Sequence, residues 1–325
     1  MTNERPVPEV SIVIVSMNKP DLLADCLDSI AAGTTVTYEA LVVAYLYTDQ
    51  NLRTLRTRYP WATLIESREV RGFSENNNLA LRCARGRFCF VLNDDTVVHP
   101  GAIDRLTEAF ATLGSEVAIT SPLILDRNGE VAFAGRGPLT YATCLRDYLF
   151  PRAYKAEGVR QLSDRPYPIC NVLGAAFMIR TDVFREIGWF DEYYFFTPED
   201  IAVSTEVNRR GYRCYLIPDA RVTHLEGLSS GQSLSMVQTA TAPAGNLGTV
   251  HFVGQGRLLR RESLRLAVAL IFVCKFLRHR LAALRSPRPN NAYILSLGDW
   301  HTVCALFARR TPKETFIHYY RRLQA

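Results

Sequence analysis

Two neighbouring carboxylates, Asp94 and Asp95, end an apolar segment of this sequence. The stretch FCFVLNDDTVV (88–98) runs through five largely apolar residues into Asn93, and two valines follow the acids. Adjacent carboxylates at a strand end repel each other, and a hard divalent cation, which prefers oxygen ligands, would offset that repulsion. A structural explanation is also open, because strand-to-helix loops often carry Asp and Asn and the motif could cap a helix beginning after Pro100.

A second acidic pair, Glu199 and Asp200, lies in the segment FFTPEDIAVSTEV. Thr197 as N-cap, Pro198 at the first helical position and two acids in the first turn would explain this pair by capping alone. The segment before it, WFDEYYFF, makes the start of this helix apolar on one side. A carboxylate that is partly desolvated there could act as a general base.

His224 follows an apolar segment by a few residues in PDARVTHLEG. A single histidine is more often a packed or surface residue than a ligand. Together with an acidic cation site, it becomes a candidate metal ligand.

The first half of the chain alternates strand-like and helix-like segments, which predicts an α/β fold. Apolar strands are expected at 10–16, 39–46, 62–67 and 88–92, with a helix after each of the first three. This order predicts a Rossmann-like, mostly parallel sheet with helices on both faces, whose ligands bind at the carboxyl ends of the strands. Asn93 to Asp95 lie at one such end.

The alternation of strand-like and helix-like segments becomes less regular after residue 125. We expect further strands at 117–125, 171–180 and 212–218, and helices over HPGAIDRLTEAFATLG, TDVFREIGWF and TPEDIAVSTEVNRRG. Residues 126–168 are rich in Gly, Pro and aromatics, which indicates loops over a site. Residues 227–256 are rich in Gly, Ser and Thr, and we expect them to be mobile.

The C-terminal part of the chain is basic. Residues 257–325 hold 14 Lys and Arg against three acids, a local charge of +11, whereas the first 256 residues hold 24 against 29, a charge of −5. The apolar run LAVALIFVC (266–274) is far shorter than the ~20 residues that span a bilayer. Its basic flanks fit a helix at a membrane surface. A helix packed on the body of the protein with a solvated basic face is equally open.

Other classes of protein are disfavoured by composition. The eight cysteines show no C-x-x-C spacing and mostly lie in apolar runs, which suits buried thiols in a reducing compartment. The N-terminal segment MTNERPVPEV has no apolar region typical of a secretory signal. Nucleic acid is not an expected partner, because the C-terminal arginines alternate with aliphatic residues and no nucleic-acid motif is present.

Four segments together resemble the family 2 glycosyltransferases, particularly their rhamnosyltransferase-like bacterial members. They are VSIVIVSMNKPDLLADCLDSI, GFSENNNLALRCARGRFCFVLNDDT, GAAFMIRTDVFREIGWFDE and PEDIAVSTEVNRRGYRCYLIPDARVTHLEG, and they cover residues 9–227. The resemblance implies the GT-A fold, a nucleotide-diphospho-sugar donor, a Mg²⁺ or Mn²⁺ ion and inverting transfer. It also implies a GT-A domain over 1–256, with a nucleotide-sugar half (1–125) and an acceptor and catalytic half (126–256), followed by a basic helical extension (257–325).

The family's functional residues can be placed on matching positions. The resemblance implies Asp95 and His224 as metal ligands, Asp200 as the catalytic base and Glu199 as its neighbour. Acceptor contacts are assigned to the segment before the base, at Trp189, Asp191 and Glu192. Donor contacts are assigned to a larger set: Ser16, Asn18, Asp49, Gly72, Phe73, Asn77, Asn93 and Asp94.

Three departures from the family pattern concern donor recognition and the helix after the base. Ala44 stands where the second strand usually ends in an Asp that reads the nucleobase. Ala202 and Glu206 occupy positions that are commonly Asp and Arg, and Met17 replaces a common aromatic residue. The proposed base and metal ligands are unaffected, whereas the identity of the donor is left open.

The resemblance predicts an enzyme that builds a bacterial surface glycan in the cytoplasm, peripherally on the inner face of the cytoplasmic membrane. The expected donor is dTDP-rhamnose or a UDP-sugar, and the expected acceptor is a saccharide, free or polyprenyl-linked. A non-catalytic sugar-nucleotide or glycan-binding subunit that retains the fold is the alternative, because the three departures are what a decaying site would show.

Overall fold

The computed structural model describes residues 6–150, 162–225, 235–284 and 290–324. The strands are β1 (Val10–Met17), β2 (Tyr38–Tyr45), β3 (Thr63–Ser67), β4 (Phe88–Asn93), β5 (Thr96–Val98), β6 (Val117–Leu125), β7 (Val131–Phe133), β8 (Tyr167–Ile169), β9 (Ala176–Arg180) and β10 (Arg213–His224). The helices are α1 (Pro20–Gly33), α2 (Asp49–Arg58), α3 (Phe73–Leu81), α4 (Ala102–Leu113), α5 (Tyr141–Leu149), α6 (Thr181–Glu186), α7 (Glu199–Arg209), α8 (Gln238–Gly254), α9 (Leu258–Ala283), α10 (Asn291–Phe307) and α11 (Pro312–Gln324).

The strands form one sheet in the order β3-β2-β1-β4-β9-β6-β10-β5, with β7 paired to β6 and β8 to β10. Strands β1 to β4 are mutually parallel, and β10 is parallel to β6. Strand β9 runs antiparallel between β4 and β6, so these two neighbours point the same way. The predicted mostly parallel α/β sheet is confirmed, with an antiparallel strand in its middle that the sequence did not reveal.

The central strands are buried because both of their faces are covered. Every residue of β6 is buried, and in β1 only Val15 and Met17 are not fully so. Continuous β-branched and aliphatic runs are typical of such strands, and they account for the success of the predictions at 10–16, 39–46, 88–92 and 117–125. The strand predicted at 62–67 is also present, as the partly exposed edge strand β3. Strand β9 is shorter than the predicted 171–180, whereas β10 extends beyond the predicted 212–218 to His224.

Two segments expected to be loops contain helices. Helix α5 begins after Thr140, whose hydroxyl accepts the backbone N–H of Thr143, and this cap lies within the predicted loop 126–168. Helix α8 contradicts the expected mobility of 227–256, although 226–234 lie outside the described residues. Its glycines and threonines have low helix propensity, but small side chains let it pack closely on neighbouring backbone, and tertiary contact overrides propensity.

The predicted C-terminal helical extension is confirmed. Helix α8 packs with α9, α10 and α11, so it joins the extension across the expected boundary at 256. Among the described residues, no helix is long and apolar enough to cross a membrane. Four of the eight thiols are exposed and four are buried, so the expectation of mostly buried cysteines holds for half of them.

Candidate active site

Strand β10 brings His224 against Asp95, although 128 residues separate them in the chain. Strands β10 and β5 pair antiparallel with His224 opposite Thr96, and the backbone N–H of Leu225 donates to the carbonyl of Asp95. The ring Nε2 of His224 lies 3.0 Å from Oδ1 of Asp95 and 3.4 Å from Nδ2 of Asn93. Sequence patterns 129 positions apart therefore converge on one point at the sheet edge.

The Asp95–His224 pair fits a small divalent cation. In this structure the two atoms are hydrogen-bonded at 3.0 Å. Two adjacent ligands of an octahedral ion with bonds of about 2.1 Å are also ~3.0 Å apart, so a cation would replace this hydrogen bond without separating the two atoms. Within the described parts of the chain, no third His, Cys, Asp or Glu completes a cluster of three such side chains. A cation here would therefore need further oxygen ligands from a bound molecule or from water.

The loop motif itself does not cap a helix. Helix α4 has Gly101 as its N-cap, and no side chain donates or accepts a capping hydrogen bond there. Asp95 is buried and Asp94 is half-buried. Of the structural explanation, the helix cap is wrong, whereas Asp94 and Asp95 do form a turn between β4 and β5.

The loops after β1 and β2 meet beside this edge. The hydroxyl oxygens of Ser16 and Tyr47 are 2.7 Å apart and both residues are buried. Oδ1 of Asn18 accepts from Nδ2 of Asn51 at 2.9 Å and from the backbone N–H of Thr48. These bonds tie two of the predicted donor contacts, Ser16 and Asn18, into one polar surface.

Tyr47, three residues after Ala44, is not among the residues predicted from the sequence. Burial raises the pKa of Tyr47 to about 12, and the negative charge of Asp94 adds to the rise. This influence places Tyr47 near the acidic motif. Its neighbour Asp49 is exposed and pairs with Arg68 at 2.9 Å, so that carboxylate is already engaged.

Ala44 lies in β2 opposite Ser16 and is buried. An aspartate at this position would face the same sheet edge. The methyl group offers no hydrogen bond, so position 44 cannot make the nucleobase contact that the resemblance assigns to an Asp there.

Glu199 and Asp200 are both buried at the start of α7, with 7% and 8% of their surfaces exposed. Burial raises the pKa of Glu199 to about 8, and the adjacent Asp200 charge contributes. Oε2 of Glu199 is buried without a hydrogen-bond partner. Burial also raises the pKa of Asp200, but two hydrogen bonds to its carboxylate oppose that rise, from the N–H groups of Gly174 and Ile201.

The two acidic motifs meet across the segment that precedes β9. The backbone N–H of Asn93 donates to the carbonyl of Ala175 at 2.9 Å, and the N–H of Gly174 donates to Oδ2 of Asp200 at 3.0 Å. Two consecutive residues thus hold the end of β4 on one side and the start of α7 on the other. The two acidic motifs are therefore anchored on neighbouring residues of one segment.

Arg136 was also missed, because the sequence offered only the composition of 126–168. Its positive charge lowers the pKa of Asp200 relative to what burial alone would produce. A β-bridge with Asn171 holds Arg136 near the segment that carries Gly174. No pattern in the sequence indicates this long-range pairing.

The start of α7 differs from the predicted cap. Pro198, rather than Thr197, is the N-cap residue, and no side chain makes a capping hydrogen bond. Thr197 has a positive φ of 47° and precedes a cis peptide bond to Pro198. The acids are therefore not explained by a standard Thr-capped helix start.

The loop before α7 is held by α3 and by the C-terminal helices. The backbone N–H of Phe73 donates to the carbonyl of Phe195, and a Cβ at Gly72 would lie 2.4 Å from that oxygen. On the other side, the ring of Phe316 in α11 packs 4.6 Å from that of Phe195. Lys313 pairs with Glu75 at 2.6 Å and joins α11 to α3 directly.

Of the predicted donor residues at the start of and within α3, Phe73 lies beside Asp200, Gly72 packs against Phe195, and Asn77 does not present its amide. The ring of Phe73 would lie 3.6 Å from a Cβ at Gly174, beside Asp200. Asn77 is 1% exposed, and its side chain donates to the carbonyl of Phe73 within the helix. That amide supports α3 internally.

The predicted acceptor residues are used partly in packing. Trp189 packs edge to face against Phe184 and lies beneath Arg185, while Glu192 pairs with Arg82 and accepts from Asn78. Asp191 is exposed and accepts the backbone N–H of Tyr193. Trp189 and Glu192 thus fix the segment 189–194 on α6 and α3, and Glu192, like Asp191, remains exposed.

Comparisons with known proteins agree with this architecture. The family described as "Glycosyltransferase like family 2" matches residues 8–239. N-acetylglucosaminyl-diphospho-decaprenol L-rhamnosyltransferase of Mycobacterium tuberculosis is 28% identical over 151 residues, which are 44% of this chain and 48% of that protein. The O-antigen biosynthesis protein RfbC of Myxococcus xanthus is 26% identical over 69% of this chain and 18% of its own length. The match spans about half or less of the length of these relatives.

Solved structures share the fold. The mannosyltransferase PcManGT of Pyrobaculum calidifontis, in complex with GDP-Man and Mn²⁺, has a TM-score of 0.53 at 17% identity, covering 94% of this chain and 89% of that one. GalNAc-T7 with UDP, GalNAc and Mn²⁺ has a TM-score of 0.55 at 16% identity, covering 70% of this chain and 45% of that one. The predicted GT-A fold is confirmed, and the chain belongs to glycosyltransferase family 2.

Proposed function

We propose that this chain is an inverting glycosyltransferase that moves a sugar from a nucleotide-diphospho-sugar to a saccharide acceptor in bacterial surface glycan synthesis. The observation that carries the proposal is the convergence of two groups on residues 174–175. One is the Asn93–Asp95 loop, which is held on Ala175 through the N–H of Asn93 and carries Asp95 beside His224. The other is the buried carboxylate of Asp200, which is held on Gly174.

The donor end of the site would be built on the sheet edge. Asp95 and His224 would hold Mg²⁺ or Mn²⁺, which would offset the negative charge that develops on the departing diphosphate. Ser16, Asn18 and Tyr47 would line the nucleotide side, where their hydroxyl and amide groups are already fixed by hydrogen bonds. Fixed polar groups orient a substrate without a new entropic cost.

Asp200 is the group best suited to accept the acceptor's proton. As the acceptor oxygen attacks the anomeric carbon, its O–H proton passes to the Asp200 carboxylate, and the bond from the anomeric carbon to the diphosphate oxygen breaks. A base near the operating pH is most effective, and burial moves the Asp200 pKa upward from its ordinary value. Glu199, with a pKa of about 8, stays largely protonated at neutral pH and leaves the charge on Asp200.

The relatives support a class of substrates. The mycobacterial relative is named for rhamnosyl transfer to a decaprenyl-diphosphate-linked sugar, which favours dTDP-rhamnose as donor and a polyprenyl-linked saccharide as acceptor. A UDP-sugar is the second donor candidate, and Ala44 argues against a fixed nucleobase preference. We place the reaction in the cytoplasm, at the inner face of the cytoplasmic membrane.

The test is a donor screen followed by a transfer assay. A ligand that binds only the folded state raises its melting temperature, so the cognate nucleotide-diphospho-sugar should stand out in the presence of Mn²⁺. That donor should then be consumed in the presence of saccharide or polyprenyl-linked acceptors, or be slowly hydrolysed without them. Donor binding with neither transfer nor hydrolysis would overturn the proposal that the chain is an enzyme. It would support the alternative, a non-catalytic binding subunit.

A further inference from the structure

Helix α9 presents a row of exposed leucines along one side. Its members are Leu259, Leu266, Leu270, Leu277, Leu281 and Leu284, all between 54% and 86% exposed. Their spacings of seven, four, seven, four and three keep them within about 40° of one line on the helix, over ~38 Å. We call these six residues the leucine row.

The opposite side of the same helix is already buried. Leu264, Val268 and Phe272 pack into an apolar cluster with Val250 of α8 and Leu306 of α10. The leucine row is therefore not needed to hold α9 on the body. A contiguous exposed apolar surface of this size on a folded chain marks an interaction site.

The surroundings of the row are basic and aromatic. Helix α9 holds six Lys and Arg against the single acid Glu262, which itself pairs with Arg261 and Arg265. Arg260 and Arg278 lie on one side of the row and Arg280 on the other, as helical spacing requires. On the adjacent helix α10, Trp300 and Phe307 are about half exposed, with Trp300 5.3 Å from Phe276 and Phe307 5.5 Å from the Arg265 guanidinium.

We propose that the leucine row is a docking face for an anionic lipid bilayer, lying in the interface with its leucines among the acyl chains and its arginines at the phosphates. Apolar side chains with flanking Arg and an aromatic residue at the edge are the pattern of an interfacial helix. A second copy of this chain fits the row less well, because pairing through it would bring two sets of arginines with the same charge together.

The position of α9 relative to the site gives this face a use. Helix α8 lies between them: Val250 contacts the α9 cluster, while Gly245 and Gly248 lie against Thr197, just before the acidic pair of α7. The base would sit about two helix layers, or roughly 20 Å, above the lipid. This use rests on the proposed function, whereas docking itself does not and can be tested without any donor.

Vesicle flotation of the full chain tests the docking face. Phosphatidylcholine vesicles with and without phosphatidylglycerol are compared for the wild type, for the double variant Leu266→Gln/Leu270→Gln, and for a matched control at exposed sites elsewhere, Val7→Gln/Leu162→Gln. We expect the wild type and the control to float with the anionic vesicles and the row variant to bind at least about tenfold more weakly. The variant Arg260→Gln/Arg278→Gln should lose anionic selectivity and salt dependence.

Three outcomes would overturn the proposal. The wild type could fail to float with anionic vesicles, or the row variant could float as well as the control. Alternatively, the wild type could be a dimer without lipid that Leu266→Gln/Leu270→Gln converts to a monomer, which would assign the row to a second copy. Equal melting temperatures of the variants and the wild type confirm that folding is unchanged, since all substituted leucines are exposed.

Discussion

The backbone N–H of Gly174 donates a hydrogen bond of 3.0 Å to Oδ2 of Asp200. The carbonyl of the next residue, Ala175, accepts the N–H of Asn93, the residue that opens the Asn-Asp-Asp motif. One short segment therefore sets the position of the proposed base relative to the proposed cation ligands. The Asn93–Ala175 bond joins backbone to backbone, whereas the Gly174–Asp200 bond holds the Asp200 carboxylate itself in place.

Substitution of Asp200 by Asn should abolish most transfer while preserving the fold. The amide has nearly the same shape but cannot accept the acceptor's proton, and general-base catalysis contributes about 10²- to 10⁴-fold. The rate should fall by that range, and donor affinity, measured by thermal shift, should stay within a few-fold. Glu206→Gln on the same helix is the control, because Glu206 pairs with Arg209 and Arg210 away from the site. Retention of most activity by Asp200→Asn would refute the base assignment.

The buried carboxyl of Glu199 should make stability depend on pH between about 5 and 8. In the unfolded chain its pKa is about 4.3, and in the folded chain burial raises that pKa to about 8. Between these values the folded state binds more protons, so the free energy of unfolding falls as pH rises, by at most ~1.4 kcal/mol per unit for one group. Below the unfolded pKa this contribution is constant.

The variant Glu199→Gln should therefore show a shallower decline in urea-unfolding free energy between about pH 5 and 8 than the wild type. Glu206→Gln again serves as the control. Hydrogen bonds from Arg209 and Arg210 lower the pKa of Glu206 to about 2, so its contribution is lost only as pH falls through the acid range. A wild-type slope that Glu199→Gln leaves unchanged would contradict the buried, protonated state of Glu199.

Asp95→Asn and His224→Gln should each remove the divalent-ion dependence of donor binding. A cation bound by these two residues would replace the hydrogen bond between Nε2 of His224 and Oδ1 of Asp95, which lie 3.0 Å apart. Weakening that site should reduce Mn²⁺-dependent affinity for a nucleoside diphosphate at least about tenfold, or about 1.4 kcal/mol. The measurement is the shift in melting temperature by Mn²⁺ plus nucleotide relative to nucleotide alone.

His99→Gln is the matched control for the cation site. His99 lies one residue beyond β5 and its Nε2 is 2.9 Å from the Thr223 hydroxyl, so it shares the neighbourhood without reaching Asp95. It should retain the full Mn²⁺-dependent shift. If Asp95→Asn behaves like His99→Gln, the cation does not bind at this pair.

The sequence predicted functional residues best where a polar side chain follows directly after an apolar strand. Asp95 and His224 each follow a buried run, and parallel topology alone places such residues at one edge of a sheet. Arg136, Gly174 and Tyr47 were not found, because their roles depend on which distant segments pair. The antiparallel insertion of β9 between β4 and β6 decides that pairing, and a five-residue apolar strand carries no signal of its direction.

Composition likewise failed to predict the structure of the segment that leads into the C-terminal helices. Residues 227–256 were expected to be mobile because Gly and Thr disfavour helices in isolation. In the structure those small residues form the contact: a Cβ at Gly248 would lie 2.7 Å from the carbonyl oxygen of Thr197, and one at Gly245 would lie 2.6 Å from its hydroxyl. A residue with low propensity can thus be required by a neighbour that the sequence does not identify.

Gly248→Ala should destabilise the protein and impair transfer together. The new methyl group would meet backbone at 2.7 Å, so the loop that carries Thr197 and Pro198 must shift, and overpacking of this kind costs about 1–3 kcal/mol. Because Asp200 lies two residues after Pro198, we also expect a lower rate with donor affinity preserved. Gly298→Ala in α10 is the control: its nearest neighbours are 3.8 Å away, so alanine should be neutral or stabilising by up to ~1 kcal/mol. Equal stability and activity for the two variants would show that α8 does not position the base.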